Sequence, residues 1–176
     1  MNKTNVRNFL FAVATTSAIA VTPAQANTTG TVVDIAVGSQ DHTTLVAAVK
    51  AAGLVDTLSG DGKFTVFAPT NDAFGKLPEG TVDTLLKPEN KGQLTKVLTA
   101  HVVAGNITSG DLVAKIQAHG GRFNFNTVSG DALTATLKGN HVYIFDESGG
   151  AALVTAADLQ SGNGVVHVVN DVLLPQ

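Results

Sequence analysis

The chain has 176 residues, 11 basic against 14 acidic side chains, a formal net charge of −3 and no cysteine. Without thiols it has no disulfide, no thiolate metal site and no lipid-bearing cysteine. It also lacks a basic cluster in the sequence, which argues against a phosphate-backbone partner.

Lys3 and Arg7 give the chain a positive start. Residues 9–21 follow as an apolar run too short for a comfortable membrane span. Thr22-Pro23 breaks it, and Ala24-Gln25-Ala26 has the small-x-small pattern of a cleavage site. Residues 1–26 therefore read as a secretory signal peptide cut after Ala26, with an uncleaved anchor as the alternative. Removing them from 176 leaves 150 residues, about one domain, with 9 basic and 14 acidic side chains and a net charge of −5. No second apolar run approaches membrane length. A small exported chain without cysteine fits a bacterial protein, periplasmic in a Gram-negative cell or secreted. It must rely on its core, and 150 residues suffice to bury one.

Residues 31–37 suit a short helix or a strand, with Val33, Ile35 and Val37 partly buried. Residues 42–52 read as a helix: Leu45, Ala48, Val49 and Ala52 share a face, Asp41 stands as N-cap, and Gly53 occupies the C′ position. Residues 54–58 add a turn, and residues 59–62 launch a strand at Phe64. That strand is aromatic and β-branched through Phe67. Pro69 ends it, Thr70 caps the next helix, Asp72 sits in its first turn and Phe74 turns back to the core. After a turn at residues 77–80, Thr81 is placed to cap a short helix carrying Val82, Leu85 and Leu86 inward. Pro88 opens a longer helix reaching His101, with Leu94, Val97, Leu98 and His101 on one face. Val102-Val103 turns extended, and Gly105-Asn106 is a turn. Thr108 and Asp111 have capping-box spacing ahead of a helix over residues 109–118.

The last third changes character. Residues 122–128, 132–138 and 141–145 alternate like strands, and Gly139-Asn140 suits a two-residue hairpin turn. That register sets Leu137 against Val142 and Ala135 against Ile144 on one face, and Thr136 against Tyr143 on the other. Residues 153–159 and 165–174 are further strands; the second is apolar on both faces and belongs centrally in the sheet. Helices dominate early and strands late, which indicates an α+β fold.

The sequence contains no G-x-S-x-G, no P-loop and no dinucleotide fingerprint after a strand, and it implies no cofactor. The histidines, His42, His101, His119, His141 and His167, form no i, i+4 pair and no H-E-x-x-H. Asp146 and Glu147 are adjacent and would point to opposite faces of a strand, so they read as a solvated turn. Asp61 and Asp131 lack calcium-loop spacing. His101 ends an apolar stripe and His167 shares a strand face with Val165 and Val169. Both read as buried, hydrogen-bonded scaffold.

Three blocks carry a family resemblance: Thr65 through Phe74 (TVFAPTNDAF), Leu98 through Gly105 (LTAHVVAG), and Asn163 through Pro175 (NGVVHVVNDVLLP). In this order they resemble the signature segments of fasciclin domains. The resemblance implies a wedge-shaped β-sandwich with several helices packed around it, formed by residues 27–176 as one domain. Phe67, Pro69, Thr70, Asn71, Phe74, His167 and Asn170 would be its structural motif; Asn170 stands where the family often has Asp. It also implies a non-enzymatic role in cell adhesion, through a surface or matrix protein or a polysaccharide. In animal members a Tyr-His pair with nearby aliphatics is assigned to integrin-dependent adhesion. Here Ala100 replaces the tyrosine, and the partner-binding expectation falls on His101, Val102 and Val103. The loops over residues 75–80, 106–111 and 146–151 are further contact candidates, and weak self-association would add avidity. The alternative is a periplasmic small-ligand binder or an enzyme with an unfamiliar site, built on His101 and Tyr143 if the fold brings them together.

Overall fold

The strand that runs into Pro69 forms the spine of the computed structural model, which describes residues 30–175. The expected signal peptide and its cleavage site lie outside the described residues. This strand, β1 (Phe64–Pro69), pairs antiparallel with β2 (Val102–Ala104). On its other side it pairs in parallel with β7 (Gly164–Val169), from Phe64↔Gly164 to Pro69↔Val169. Between them in sequence come β3 (Arg122–Asn126), β4 (Ala132–Lys138), β5 (His141–Phe145) and β6 (Ala151–Ser161). The sheet order is β2-β1-β7-β6-β5-β4-β3. The helices are α1 (Val32–Val37), α2 (Thr43–Ala52), α3 (Val55–Leu58), α4 (Asn71–Gly75), α5 (Thr81–Leu85), α6 (Lys91–Ala100) and α7 (Ser109–Ala118).

Strand β6 folds this sheet into a sandwich. Its first residues pair with β5, and from Val154 onward it pairs with β7. Register shifts follow Val154 and Ala156, and Asp158 takes a left-handed backbone at φ 60°. Such bulges bend and twist a strand, so β6 serves both halves. Side-chain alternation then sorts the core. Phe67, Val103 and Val169 of one half meet Leu133 and Ile144 of the other, and α7 closes the gap with Leu112 and Ile116. The opposite face of β1 and β7, carrying Val66, Ala68 and Val166, packs under α1, α2, α4 and α6. Both faces of β7 are covered, which is why all six residues are buried and His167 alone interrupts its apolar sequence. Gly164 is required where β7 meets β1: a Cβ there would overlap the Phe64 carbonyl.

The expected α+β wedge is present, and the hairpin has the predicted register, with Lys138↔His141 flanking Gly139-Asn140. Several local expectations need correction. The Thr31–Asp34 capping box sets the phase of α1, so Val32 and Ala36 are buried while Val37 is 56% exposed. Asp41 lies in a 3-10 turn (Gln40–His42) and does not cap α2. Gly80, at φ 82°, replaces Thr81 as the N-cap of α5, where Val82, Leu85 and Leu86 pack only partly. Pro88 opens a separate 3-10 turn before α6. Strand β3 stops at Asn126, and β7 stops at Val169 instead of running to residue 174.

Candidate functional site

His101 caps the C-terminus of α6 and is 2% exposed. Its Nδ1–H donates to the Val97 carbonyl at 2.8 Å, and its Nε2 accepts the Leu173 N–H at 2.9 Å. An imidazolium could not accept that second bond, so the ring is the neutral δ tautomer. Burial pushes its pKa down to about 4, against the opposing pull of the Val97 carbonyl and the Asp146 charge. Val102 and Val103 are each 3% exposed; Val102 faces the helical layer and Val103 the sandwich interior. In this structure none of the three offers a side chain to a partner.

His167 is fully buried and stacks on Phe67 with 5.6 Å between ring centroids. Its Nε2–H donates to the Ile107 carbonyl at 2.8 Å, and burial lowers its pKa. Thr65 works beside it. The Thr65 hydroxyl donates to Gly105 O at 2.7 Å and accepts from the Ile107 N–H at 2.8 Å. Asp158, at the bulge of β6, accepts from the Ser109 N–H at 2.7 Å and from the Ser109 hydroxyl. Thr108 and Asp111 complete the predicted capping box. The loop entering α7 is thus held from below by three residues distant in sequence.

The other motif residues also brace backbone. Thr70 Oγ1 accepts the Ala73 N–H, and Phe67 and Phe74 are buried. Asn71 supplies the cap that α2 lacks: its Oδ1 accepts from the Thr44 N–H at 3.0 Å and the Thr43 hydroxyl at 3.1 Å, while its Nδ2 donates to Gln40 O at 2.9 Å. Asn170 extends the β6 pairing past the end of β7. Its Oδ1 accepts the Leu153 N–H at 2.8 Å, and its own N–H donates to Leu153 O at 3.1 Å. Two such residues escaped the sequence reading. Asn163 accepts from the Val32 N–H and donates to the carbonyls of Leu58 and Gly60, joining α1, α3 and the following turn to the head of β7. Asp158 is the other. A lone acid within an alternating strand, and an Asn-Gly step at the head of an apolar one, were the available signals.

Asp146 and Glu147 take separate partners, as adjacent residues should. Asp146 accepts from Gly150, Ser148 and Leu174, and Glu147 from the Ala132 N–H. Tyr143 lies on the outer sheet face beneath the Lys138 ammonium, so it shares no site with His101. A cavity of about 30 Å³ lies between α1, α2 and β1, lined by Val32, Leu45, Val49, Val66 and Leu98 with His101 at its edge. It has room for about one water. Among the described residues no group of three His, Asp or Glu could hold a metal, and no helix is long and apolar enough to cross a membrane.

A two-layer sandwich clad in helices on one face, with His101, His167, Asn71, Asn163 and Asn170 bonded to main chain, defines a fasciclin-type fold. The chain belongs to the fasciclin domain family, whose model matches residues 40–175. It is 46% identical over 155 residues to Protein sll1483 of Synechocystis sp., spanning 88% of this chain and 79% of that protein. It is 38% identical over 146 residues to the transforming growth factor-beta-induced protein ig-h3 of Sus scrofa, spanning 83% of this chain but 19% of that protein. Among solved structures it is similar to the FAS1 domain pair of the insect cell adhesion molecule Fasciclin I. The TM-score there is 0.74 at 19% identity, covering 82% of this chain and 51% of the other.

Proposed function

We propose that the protein is an exported, non-enzymatic surface-interaction module. Its signal peptide ends at Ala26 and residues 27–176 fold as one domain outside the cytoplasm. The supporting observation is the bracing of its loops. Residues 105–111 rest on Thr65, His167 and Asp158; residues 146–151 close on Asp146; Lys76, in the loop after α4, is tied to Asn170 and Asp171. Rigid loops lose little conformational freedom when they dock, which favours recognition. The rings of His101 and His167 are committed to backbone carbonyls and amides. His101, Val102 and Val103 then act on a partner indirectly, by fixing the segment that leads into residues 105–111.

The partner is a cell-surface or matrix protein or polysaccharide, with weak self-association supplying avidity. The cell-adhesion description of the Fasciclin I structure is in keeping with this reading. Deleting the gene should lower attachment or aggregation, and added purified protein should restore it. Unchanged attachment across surfaces and partner cells would refute the reading.

A further inference from the structure

The outward face of the half-sheet formed by β3, β4 and β5 is open to solvent, and its composition differs from the rest of the chain. Register places Arg122 beside Thr136, Thr136 beside Tyr143, Lys138 beside His141 and Thr134 beside Phe145. Arg122, Lys138 and His141 are exposed; Thr136, Tyr143 and Phe145 are half-buried. The Lys138 ammonium lies over both rings, 5.2 Å from the Tyr143 centroid and 5.4 Å from that of Phe145. Around the edge, Lys115 stands 5.1 Å from the Phe123 centroid. Two surface depressions adjoin along Arg122 and Thr134.

The charge pattern on this face is one-sided. No outward position on these three strands is acidic. Asp131, Asp146 and Glu147 all sit in turns at the opposite end of the β4–β5 hairpin from Gly139-Asn140. A chain with more acidic than basic residues therefore sets Arg122 and Lys138 on one surface with no acidic neighbour on its strands, interleaved with aromatic rings and hydroxyls.

We propose that this face binds an acidic polysaccharide, a glycan bearing carboxylate or sulfate groups. This rests on the surface-module reading and names its partner class. When Lys138 swings from the two rings to an anionic substituent, Tyr143 and Phe145 are left to meet the C–H faces of sugar rings. Arg122 presents a planar fork to an anionic substituent, Lys138 a second cation, and the threonines hydrogen-bond to sugar hydroxyls. The charge complementarity selects this occupant. A nucleic acid, with its dense phosphate charge, calls for a larger basic surplus than an acidic chain supplies, and shallow depressions offer no slot for an acyl chain.

The test is binding of the purified full chain to four immobilised probes: polygalacturonate, dextran sulfate, neutral dextran and phosphatidylglycerol vesicles. Binding to either acidic polymer, weakened by added salt, with none to neutral dextran, is the expected result; the two polymers distinguish carboxylate from sulfate recognition. Arg122→Gln with Lys138→Gln should weaken it about tenfold, because two partly solvated charge contacts are removed. Tyr143→Thr should weaken it while leaving its salt dependence intact, and Lys50→Gln, on α2, should change nothing. Thermal melting checks that each variant folds. Equal binding by the Arg122/Lys138 variant, equal retention on neutral dextran, no binding to either polymer, or a preference for the vesicles would overturn the proposal. If that variant restores attachment to a deletion strain as well as the parent does, the glycan site fails while the adhesion reading stands; if it does not, both are supported.

Discussion

Lowering the pH from about 7 to about 4 sets a proton in competition with the Leu173 N–H for His101 Nε2. The unfolded imidazole titrates near its ordinary 6.5, whereas the folded one holds out to about 4. Between those values the unfolded state binds a proton that the folded state refuses, so stability falls with pH. It is fully present above 6.5, declines by about 1.4 kcal/mol per pH unit, and levels off below about 4. The total is about 3 kcal/mol, a large part of the roughly 5–15 kcal/mol that holds a domain together. The assay is urea unfolding across this pH range for the parent and for His101→Gln. Near pH 7 the variant should be weaker by about 1–3 kcal/mol, since Val97 O and Leu173 N–H lose well-placed partners. Approaching pH 4 the two curves should converge. His42 and His167, whose pKa values are also lowered by burial, contribute equally to both proteins and cancel. Parallel curves at every pH would refute the neutral, doubly bonded His101.

Asn71→Ala should cost about 1–2 kcal/mol, the usual loss for removing a helix cap, whereas Asn71→Asp should cost less because it keeps the acceptor for Thr44. Thermal unfolding of the pair checks this. Gly164→Ala should abolish folding or cost about 3 kcal/mol or more, because the new Cβ meets the Phe64 carbonyl within the parallel pair; soluble yield and melting temperature give the readout. By contrast Gly92→Ala, in open space early in α6, should stabilise by about 0.5–1 kcal/mol. Asp158→Ala should loosen the start of α7 by about 1 kcal/mol and speed amide exchange at Ser109.

Short-range chemistry was readable from the sequence. The Pro69–Thr70 corner, the Thr108–Asp111 box, the Gly53 helix end and the Gly139-Asn140 register all involve residues within a few positions of each other. They follow from local sterics and hydrogen bonding. What escaped prediction acts over distance. Asn71 caps a helix that begins 28 positions earlier, and Asn163 bonds to Val32 across 131 positions. No periodicity reveals such pairings. The end of β7 was missed because Val172 and Leu173 continue the apolar pattern after leaving the sheet; they are buried by packing, not by pairing. The basic face was hidden for a similar reason. Arg122, Lys138 and His141 are separated in the chain and come onto one face only through strand register. The histidines were legible as scaffold, yet their partners, Leu173 for His101 and Ile107 for His167, were not.

The parallel contact of β1 with β7 has a consequence for biogenesis. Phe64 waits for Gly164, a hundred positions further along, so the growing polypeptide cannot complete its spine until residue 164 has left the ribosome. Pairings this remote are slow to nucleate. A nascent chain of this design therefore lacks its central pairing until β7 is delivered, a useful property for any polypeptide that must pass through a translocation pore before it folds.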